Sequence, residues 1–586
     1  MNFPSFFLFF QKNRYFCAEF KQCHLVSNSY PVFMKKCFSM LLFALIVGSS
    51  CARREKMDIE TPSSLPAMYI TLPPEDFSAI LLDKELKFEA NVLFVSSEND
   101  MLYEGELDHI KTRGNQTFEP EKKSFTLKFP MKTRLLDLYK SRSYVLLANA
   151  LDESYIRNAI SFDLASLMGL PASHYAFLKL YVNGEYMGLY QLANKVEVNK
   201  HWLNITDLGK LNKEMNFKPL GEYERFSSIE NQTALRKGAL LENDPYDITG
   251  GYLLEYGCGK IESVFVSDFG EVMGIRSPKY ASPNEVSYIA DFYNQMEAAV
   301  LSADGINPRT GRHYSEYIDM ESFARYYLLQ EIVLNHDGGT NSFYMYKDSD
   351  SIDSKLYAGP AWDFDKALAS PYWENDVLVH NEIFIGAPLG RVDANPRMSL
   401  LYQLMLHKDF QDVVKELYLG EVAEICRDYL AKDVIGNLAQ SLAAEAEKDE
   451  SIYKRRQSAN YAATVGMIKR FLGDRVEFLS WYYSASENDM VTVTYPKSYN
   501  YKLWFHREIS IYYPTGEPVY PPVTLWPYFS VYNYSPVAEL FYAGTDSIVK
   551  PGTVFRSPRK LELRSRKPTW KEVQMRRVKK KLKIKP

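Results

Sequence analysis

Apolar and polar residues alternate with a period of two through much of residues 67–200, as expected for β-strands that bury one face. Residues 123–129 show this pattern most clearly, and Lys123 shares the face that carries the apolar side chains. A cation on such a face needs an anionic partner to offset its loss of hydration. A hairpin is predicted at Asn183-Gly184, because this dipeptide tolerates the positive φ angles of a type I′ turn. We therefore predict that residues 67–200 are mainly strands.

Beyond residue 250 the spacing of apolar residues changes to three and four, which indicates helices. Residues 201–249 are polar and irregular, and we interpret them as a connection or insertion. Short runs rich in Val, Tyr and Pro predict a small β domain over 486–555. The fold class is therefore α+β, with a strand-rich lobe, a helical lobe over 250–485 and a C-terminal β-sandwich-like domain. Helices are predicted over 286–301, 322–334, 398–419, 423–448 and 459–478, and another is predicted after Asp152, a plausible N-cap.

The N-terminal region has the pattern of a bacterial secretion signal. Two lysines follow Met34, an apolar run covers residues 40–47, and Gly48-Ser49-Ser50 leads to Cys51. We therefore expect residues 1–33 to be a mis-assigned extension, 34–50 a signal peptide, and 51–66 a tether that starts at a lipid-modified Cys51. The expected location is the bacterial cell envelope, with attachment to a membrane through the lipid only.

Composition narrows the possible classes of protein. The chain has 46% hydrophobic and 24% charged residues, which is typical of globular proteins. Four of the six cysteines lie within the first 51 residues, so a disulfide-stapled scaffold is excluded. Residues 556–586 carry 14 Lys or Arg against two Glu, which makes them a basic tail behind an acidic body. We expect no nucleic-acid partner, because an exported protein rarely meets nucleic acid.

The candidate chemistry lies between residues 323 and 365. A helix ends in the polar loop 335–341, a hairpin follows, and its second strand leads to Trp362-Asp363-Phe364-Asp365. Protein kinases use this order of elements, with a loop Asp that accepts the proton of the substrate hydroxyl and with Asn and Asp ligands for Mg²⁺. Mg²⁺ prefers such hard oxygen ligands. The chain contains no P-loop, dinucleotide-binding or zinc motif.

Several segments between residues 65 and 480 resemble the CotH (spore coat protein H) kinase family. The resemblance implies a two-lobed, atypical protein-kinase-like fold and transfer of the γ-phosphoryl group of ATP to Ser or Thr of an envelope protein. It implies Asp337 and Lys123 as catalytic residues, Lys123, Arg113 and Arg157 as residues that bind the cofactor, and Asn341, Asp363 and Asp365 as ligands of Mg²⁺ or Mn²⁺. The segments are Thr112–Asn115, Lys122–Phe125, Ser154–Asn158, Asn183–Tyr190, Asp337 with Asn341, and Trp362–Asp365.

One position departs from the family pattern. Asn194 stands where the family usually has an acid, and Glu197 is the nearest acid. An alternative function is therefore a non-catalytic pseudokinase scaffold, or a surface lipoprotein that mediates adhesion or binds a glycan. The 43 tyrosines would suit a surface that faces sugar or protein. A third interpretation makes Asp337 and Asp363 the carboxyl pair of a glycosidase. In each case the expected partner is an envelope or surface protein, or a glycan.

Overall fold

The structure is a computed structural model. It describes residues 65–114, 116–230, 234–335, 337–370, 383, 385, 399–454 and 460–484, and short segments, mainly strands, between 491 and 565. The predicted extension, signal peptide and lipid-modified Cys51 lie outside the described residues. No helix in the described part of the chain is both long and apolar enough to cross a membrane.

Seven strands close into a barrel in the order β1-β2-β3-β4-β5-β7-β6. Neighbouring strands are antiparallel except β1 and β6, which are parallel. Alternate residues such as Phe125, Leu127 and Phe129 fill the interior, as the alternation predicts. The strands are β1 Ala67–Thr71, β2 Phe88–Val95, β3 Met101–Arg113, β4 Ser124–Thr133, β5 Ser141–Leu147, β6 Tyr175–Val182 and β7 Glu185–Asn194. The predicted hairpin joins β6 and β7, with φ of 51° at Asn183 and 86° at Gly184.

A second, antiparallel sheet has seven strands in the order β14-β13-β10-β12-β11-β9-β8. Two of them, β8 and β9, lie in residues 201–249, so this region is not irregular throughout as its sequence indicated. That region pairs into the sheet although its sequence is polar, because an edge hairpin can expose most of its side chains. The strands are β8 Arg225–Glu230, β9 Ala234–Ala239, β10 Tyr252–Tyr256, β11 Val264–Val266, β12 Val272–Ser277, β13 Tyr344–Lys347 and β14 Leu356–Ala358.

The helices predicted over 286–301, 322–334 and 459–478 are present close to those positions. The regions predicted as single helices over 398–419 and 423–448 each contain two helices instead. The helix predicted after Asp152 instead begins at Arg157, and Asp152 Oδ2 accepts a hydrogen bond from the Arg157 N–H at 2.9 Å. The helices are α1 Pro74–Leu82, α2 Arg157–Leu167, α3 Leu208–Met215, α4 Pro283–Val300, α5 Met320–Val333, α6 Leu400–Leu404, α7 Lys408–Leu417, α8 Ala423–Ala431, α9 Val434–Tyr453 and α10 Tyr461–Ser484.

The C-terminal strands form two four-stranded sheets, in the orders β18-β15-β22-β20 and β17-β16-β19-β21. Strand β22 lies within residues 556–586, so part of the predicted basic tail pairs into a sheet. The strands are β15 Val491–Thr494, β16 Lys502–Phe505, β17 Ile509–Tyr512, β18 Val523–Leu525, β19 Ser530–Asn533, β20 Ala538–Tyr542, β21 Thr553–Val554 and β22 Lys560–Ser565.

A buried ion pair connects the barrel to helix α9. Lys122 Nζ lies 2.6 Å from Asp449 Oδ1, and both side chains are 0% exposed. Asp449 also accepts hydrogen bonds at 2.9 Å from the Leu189 N–H and from the Tyr155 hydroxyl. A buried ion pair is stable only when further hydrogen bonds satisfy its charges, as they do here. The pair therefore fixes the barrel against the helices.

Candidate functional site

The loop that follows α5 carries two of the predicted site residues. The backbone carbonyl of Asp337 accepts hydrogen bonds from the N–H groups of Thr340, at 3.1 Å, and Asn341, at 3.0 Å. Gly338 suits this turn because a Cβ there would lie only 2.9 Å from the backbone oxygen of Asn335. Asn341 Nδ2 lies 3.4 Å from Asp337 Oδ1. The turn therefore holds Asp337 and Asn341 side by side.

A lysine that the sequence analysis did not select forms an ion pair with Asp337. Lys366 Nζ lies 3.0 Å from Asp337 Oδ2, and the two side chains are 8% and 17% exposed. Limited access to water strengthens such a pair relative to one on the surface. Its position directly after Trp362–Asp365 was a signal that could have identified it.

Asp363 is joined to the same loop through Ser342. The Ser342 hydroxyl donates a hydrogen bond to Asp363 Oδ2 at 2.8 Å. Both residues have left-handed backbone conformations, with φ of 50° and 70°. Each such conformation costs roughly 1–2 kcal/mol for a residue with a Cβ, and this strain is common at functional sites. The hairpin of β13 and β14 lies between the two residues and returns the chain to the loop.

Helix α2 holds the segment that follows β14. Asn158 Oδ1 accepts a hydrogen bond from the Phe364 N–H at 2.8 Å. Arg157 is fully buried, forms an ion pair with Asp152, and donates from Nε to the carbonyl of Ala367 at 2.9 Å. The expectation that Arg157 binds the cofactor is therefore corrected, because its guanidinium is occupied by the protein and has no access to solvent. It positions the segment instead.

The surroundings of Asp363 and Asp365 disfavour the charged forms of their carboxyl groups. Burial raises the pKa of Asp363, and the Asp337 carboxylate raises it further, while Ser342 and Arg113 oppose the rise. Burial raises the pKa of Asp365 well above its usual value, and the charge of Asp363 adds to this effect. A bound cation would stabilise both carboxylates. Strongly shifted pKa values of this kind are typical of functional sites.

The oxygen donors present fit Mg²⁺ in kind. Asp363, Asp365 and Asn341 offer carboxylate and amide oxygens, which hard divalent cations prefer. Within the described residues no group of three or more His, Cys, Asp or Glu side chains is arranged to hold a metal ion. This does not conflict with Mg²⁺, which is commonly held by one or two carboxylates, water and the phosphates of its substrate.

Arg113, Lys195 and Arg276 interact electrostatically with one another, and Arg113 also interacts with Asp363. The Arg113 guanidinium carbon lies 5.4 Å from the centre of the Trp362 ring, and burial lowers the pKa of Arg113 while Asp363 opposes this. Burial also lowers the pKa of Lys195 to about 8, and the charges of Arg113 and Arg276 contribute. The Lys195 side chain is nevertheless exposed to solvent. Such a group of cations suits polyphosphate.

Arg276 is placed by its own ion pair, with Glu255 on β10. In the register of the sheet, Glu255 of β10 lies opposite Tyr344 of β13. Tyr344 is the first residue of β13, so Glu255 lies at the end of the sheet next to the Asn341 loop. A Cβ built on Gly257 would lie 3.6 Å from Asn341 Oδ1, which shows how closely the strand end approaches the loop. No sequence pattern indicated Glu255 or Arg276, because only the pairing of strands brings them here.

Lys123 does not lie on the buried barrel face, contrary to the prediction. Strand β4 begins at Ser124, and Lys123 is partly buried just before it. Its Nζ donates to the carbonyl of Phe118 and lies 4.5 Å from the centre of that ring. Within the described residues Lys123 has no ion pair. The buried cation with an anionic partner is its neighbour Lys122.

Asn194, the departure from the family pattern, has a structural role. Its Nδ2 donates to the carbonyl of Tyr139 and its Oδ1 accepts from the Tyr139 N–H, both at 2.9 Å. A carboxylate could accept but could not donate, so only an amide satisfies both backbone groups. Glu197, the nearest acid, accepts a hydrogen bond from the Ser141 hydroxyl at 2.5 Å. The two hydrogen bonds to Tyr139 therefore explain why position 194 carries an amide instead of an acid.

A profile described as CotH kinase protein matches residues 110–479, which is more than half of the chain. No curated protein matched. The profile match includes Asp337, Asn341, Asp363 and Asp365, which the structure brings together.

Proposed function

The chain belongs to the CotH kinase protein family, and from this we propose that it is an exported atypical kinase that phosphorylates Ser or Thr of an envelope protein. The observation that supports this most directly is the arrangement of Asp337 and Asp363 around one loop. Asp337 forms an ion pair with Lys366, and Asp363 accepts a hydrogen bond from Ser342. The residues that we propose as proton acceptor and as cation ligand thus lie around the same loop, an arrangement that phosphoryl transfer requires.

In the proposed reaction the substrate hydroxyl attacks the γ-phosphorus of ATP. A bond forms from the hydroxyl oxygen to phosphorus, the bond from phosphorus to the β–γ bridging oxygen breaks, and ADP leaves. Asp337 accepts the hydroxyl proton, and Lys366 orients the Asp337 carboxylate. Arg113 and Lys195 contribute positive charge for the phosphates.

Asp363, Asp365 and Asn341 would hold Mg²⁺ or Mn²⁺. When bound, the ion would offset the charge of the phosphates. Burial raises the pKa values of Asp363 and Asp365, and a bound cation would favour their charged forms.

A thermal-unfolding titration with ATP, with and without Mg²⁺, tests the proposed site. A ligand present at about 100 times its dissociation constant stabilises the folded state by about 2.7 kcal/mol. We expect ATP and Mg²⁺ together to raise the midpoint, and Asp363→Ala to abolish the rise. Asp100→Ala, an exposed carboxylate on the barrel, is the control. No shift with any nucleotide at millimolar concentration would contradict catalysis and would favour a pseudokinase scaffold or a glycan-binding protein.

The proposed location has a separate test. Export and lipid attachment at Cys51 are supported by the charged, apolar and small-residue regions that precede it. Cells that express the chain and are fed labelled palmitate should incorporate the label, and Cys51→Ser should remove it. Label that persists in Cys51→Ser would contradict the lipid anchor.

A further inference from the structure

Two segments of the barrel lie together at one end and are tied to each other by hydrogen bonds. The loop between β4 and β5 is joined to the segment after β7 by the two bonds between Asn194 and Tyr139. Asn199 Nδ2 donates to the carbonyl of Lys140 at 3.0 Å. Ser141 and Glu197 add the 2.5 Å bond described above. The relative position of the two segments is therefore fixed.

Exposed cations concentrate on these two segments. Residues 131–142 and 194–201 contain six Lys or Arg and only two acids. We call five of the cations the basic strip; they are Lys132, Arg134, Lys140, Lys195 and Lys200. All five are exposed, and within the part of the chain that the structure describes none forms an ion pair. The sixth, Arg142, is paired with Asp108.

The charge of the strip is compensated only in part, because Glu197 favours the charged form of Lys195 while the other four cations of the strip have no ion pair within the described residues. Desolvation lowers the pKa of His201, and the next contributions come from Lys200, Lys132, Arg134 and Lys140, all of which lower it. The two acids in these segments are Asp137 and Glu197, and the second is bonded to Ser141. A group in which five cations outnumber two acids costs free energy through the repulsion of like charges, and a partner of opposite charge would offset this cost.

Stacked aromatic rings hold the β4–β5 loop in place. The Tyr139 ring is stacked on His174, with centres 3.9 Å apart, and is nearly parallel to Trp202, at 6.0 Å and 7°. The loop itself is anchored by Leu135 and Leu138, which are buried in the barrel interior. The strip is therefore a pre-formed surface, which lowers the entropy cost of binding.

One end of the strip meets the candidate site. Lys195 is close enough to Arg113 and Arg276 for their charges to lower its pKa, and Arg113 in turn interacts with Asp363. From Lys195 the strip continues to Lys200 and to the β4–β5 loop, beyond the group of cations that suits ATP. A strip that begins at the site and leads away from it fits an extended partner.

We propose that the basic strip binds an acidic segment of the protein substrate and so directs a nearby serine or threonine to Asp337. This inference rests on the proposed function, because only a kinase would have this partner as its substrate. Complementary charge of this kind determines which partner binds and how fast it associates. The expected substrate is a polypeptide with Asp or Glu close to the modified hydroxyl.

The test is binding of fluorescent peptides measured by anisotropy, which needs neither ATP nor turnover. One peptide has a single Ser flanked by Glu, and its partner has Gln in place of every Glu. We expect the Glu peptide to bind at least about tenfold more tightly, with an affinity that falls as salt is added. We expect Lys132→Glu/Lys200→Glu to weaken its binding about tenfold.

The matched control is Lys213→Glu/Lys415→Glu, which reverses two exposed lysines elsewhere and should leave binding unchanged. The ATP-dependent thermal shift should be the same in both double variants. Equal affinity for the two peptides, or no effect of the strip variant, would overturn the inference. Binding to phosphatidylglycerol vesicles without binding to the Glu peptide would also overturn it. Loss of the ATP shift in the unmodified chain would instead count against the proposed function alone.

Discussion

Lys366 forms a nearly buried ion pair with Asp337, with Nζ 3.0 Å from Oδ2. The lysine belongs to the segment after β14 and the aspartate to the loop after α5, so the pair joins the two parts of the site. If Asp337 accepts the substrate proton, Lys366 is the residue that orients it.

Removal of this lysine should therefore slow phosphoryl transfer. We expect Lys366→Met to lower kcat about 100-fold and to change the KM for ATP by less than about threefold, because the carboxylate loses its orientation. Steady-state transfer to a protein substrate measures both. Lys432→Met is the control, since Lys432 forms an exposed ion pair with Asp428. A kcat within twofold of the unmodified chain would contradict the assigned role.

Arg157→Ala should destabilise the fold, in contrast to the cofactor-binding role that the sequence suggested. Its loss leaves the Asp152 carboxylate buried without its partner and removes the bond to the Ala367 carbonyl. We expect the free energy of unfolding, measured by urea denaturation, to fall by about 3–5 kcal/mol. Arg113→Ala should change stability far less and should reduce the ATP-dependent thermal shift. The reverse ranking of the two variants would contradict this assignment.

The ion pair between Lys122 and Asp449 should contribute strongly to the attachment of α9 to the barrel. Asp449→Ala leaves Lys122 charged and buried, so we expect about 3–5 kcal/mol less free energy of unfolding. Glu445→Ala is the control on the same helix. It removes one partly buried hydrogen bond, from the Tyr186 hydroxyl at 2.7 Å, and should cost about 1 kcal/mol. A loss below 1 kcal/mol for Asp449→Ala would show that the pair is not important.

Glu297 should make stability depend on pH. Burial raises the pKa of Glu297 to about 7, and Glu271 and Asp268 add to the rise while Ser267 opposes it. The folded state therefore holds a proton that the unfolded state loses near pH 4.5, so this group lowers stability as pH rises from about 4.5 to about 7. Glu297→Gln should remove this slope and should stabilise the protein by roughly 3 kcal/mol above pH 7.

Urea unfolding at pH 4 and pH 8 measures the effect. The variant should match the unmodified chain at pH 4 and exceed it at pH 8. Glu321→Gln, an exposed carboxylate on α5, serves as the control and should leave the slope unchanged. A gain of the same size at both pH values would contradict the assignment to Glu297.

The local elements could be predicted from the sequence. Alternation predicted the barrel strands, Asn183-Gly184 predicted the β6–β7 turn, and apolar spacing predicted helices such as α4 and α5. The order of loop, hairpin and Trp362–Asp365 placed Asp337, Asn341 and Asp363 in one region. These features depend on neighbours in sequence, and short-range sterics and hydrogen bonding decide them.

The tertiary structure decided which side chains meet. Lys122 rather than Lys123 is buried because the fold brings Asp449 next to it to balance its charge. Asp449 is 327 positions further along the chain, so no local pattern indicates this partner. Arg157 is a structural residue because Asp152 and the Ala367 carbonyl surround it, and Lys195 joins Arg113 and Arg276 because three different strands end at one place. The free energy of a charged side chain depends on its desolvation and on its partners, and a linear pattern records neither.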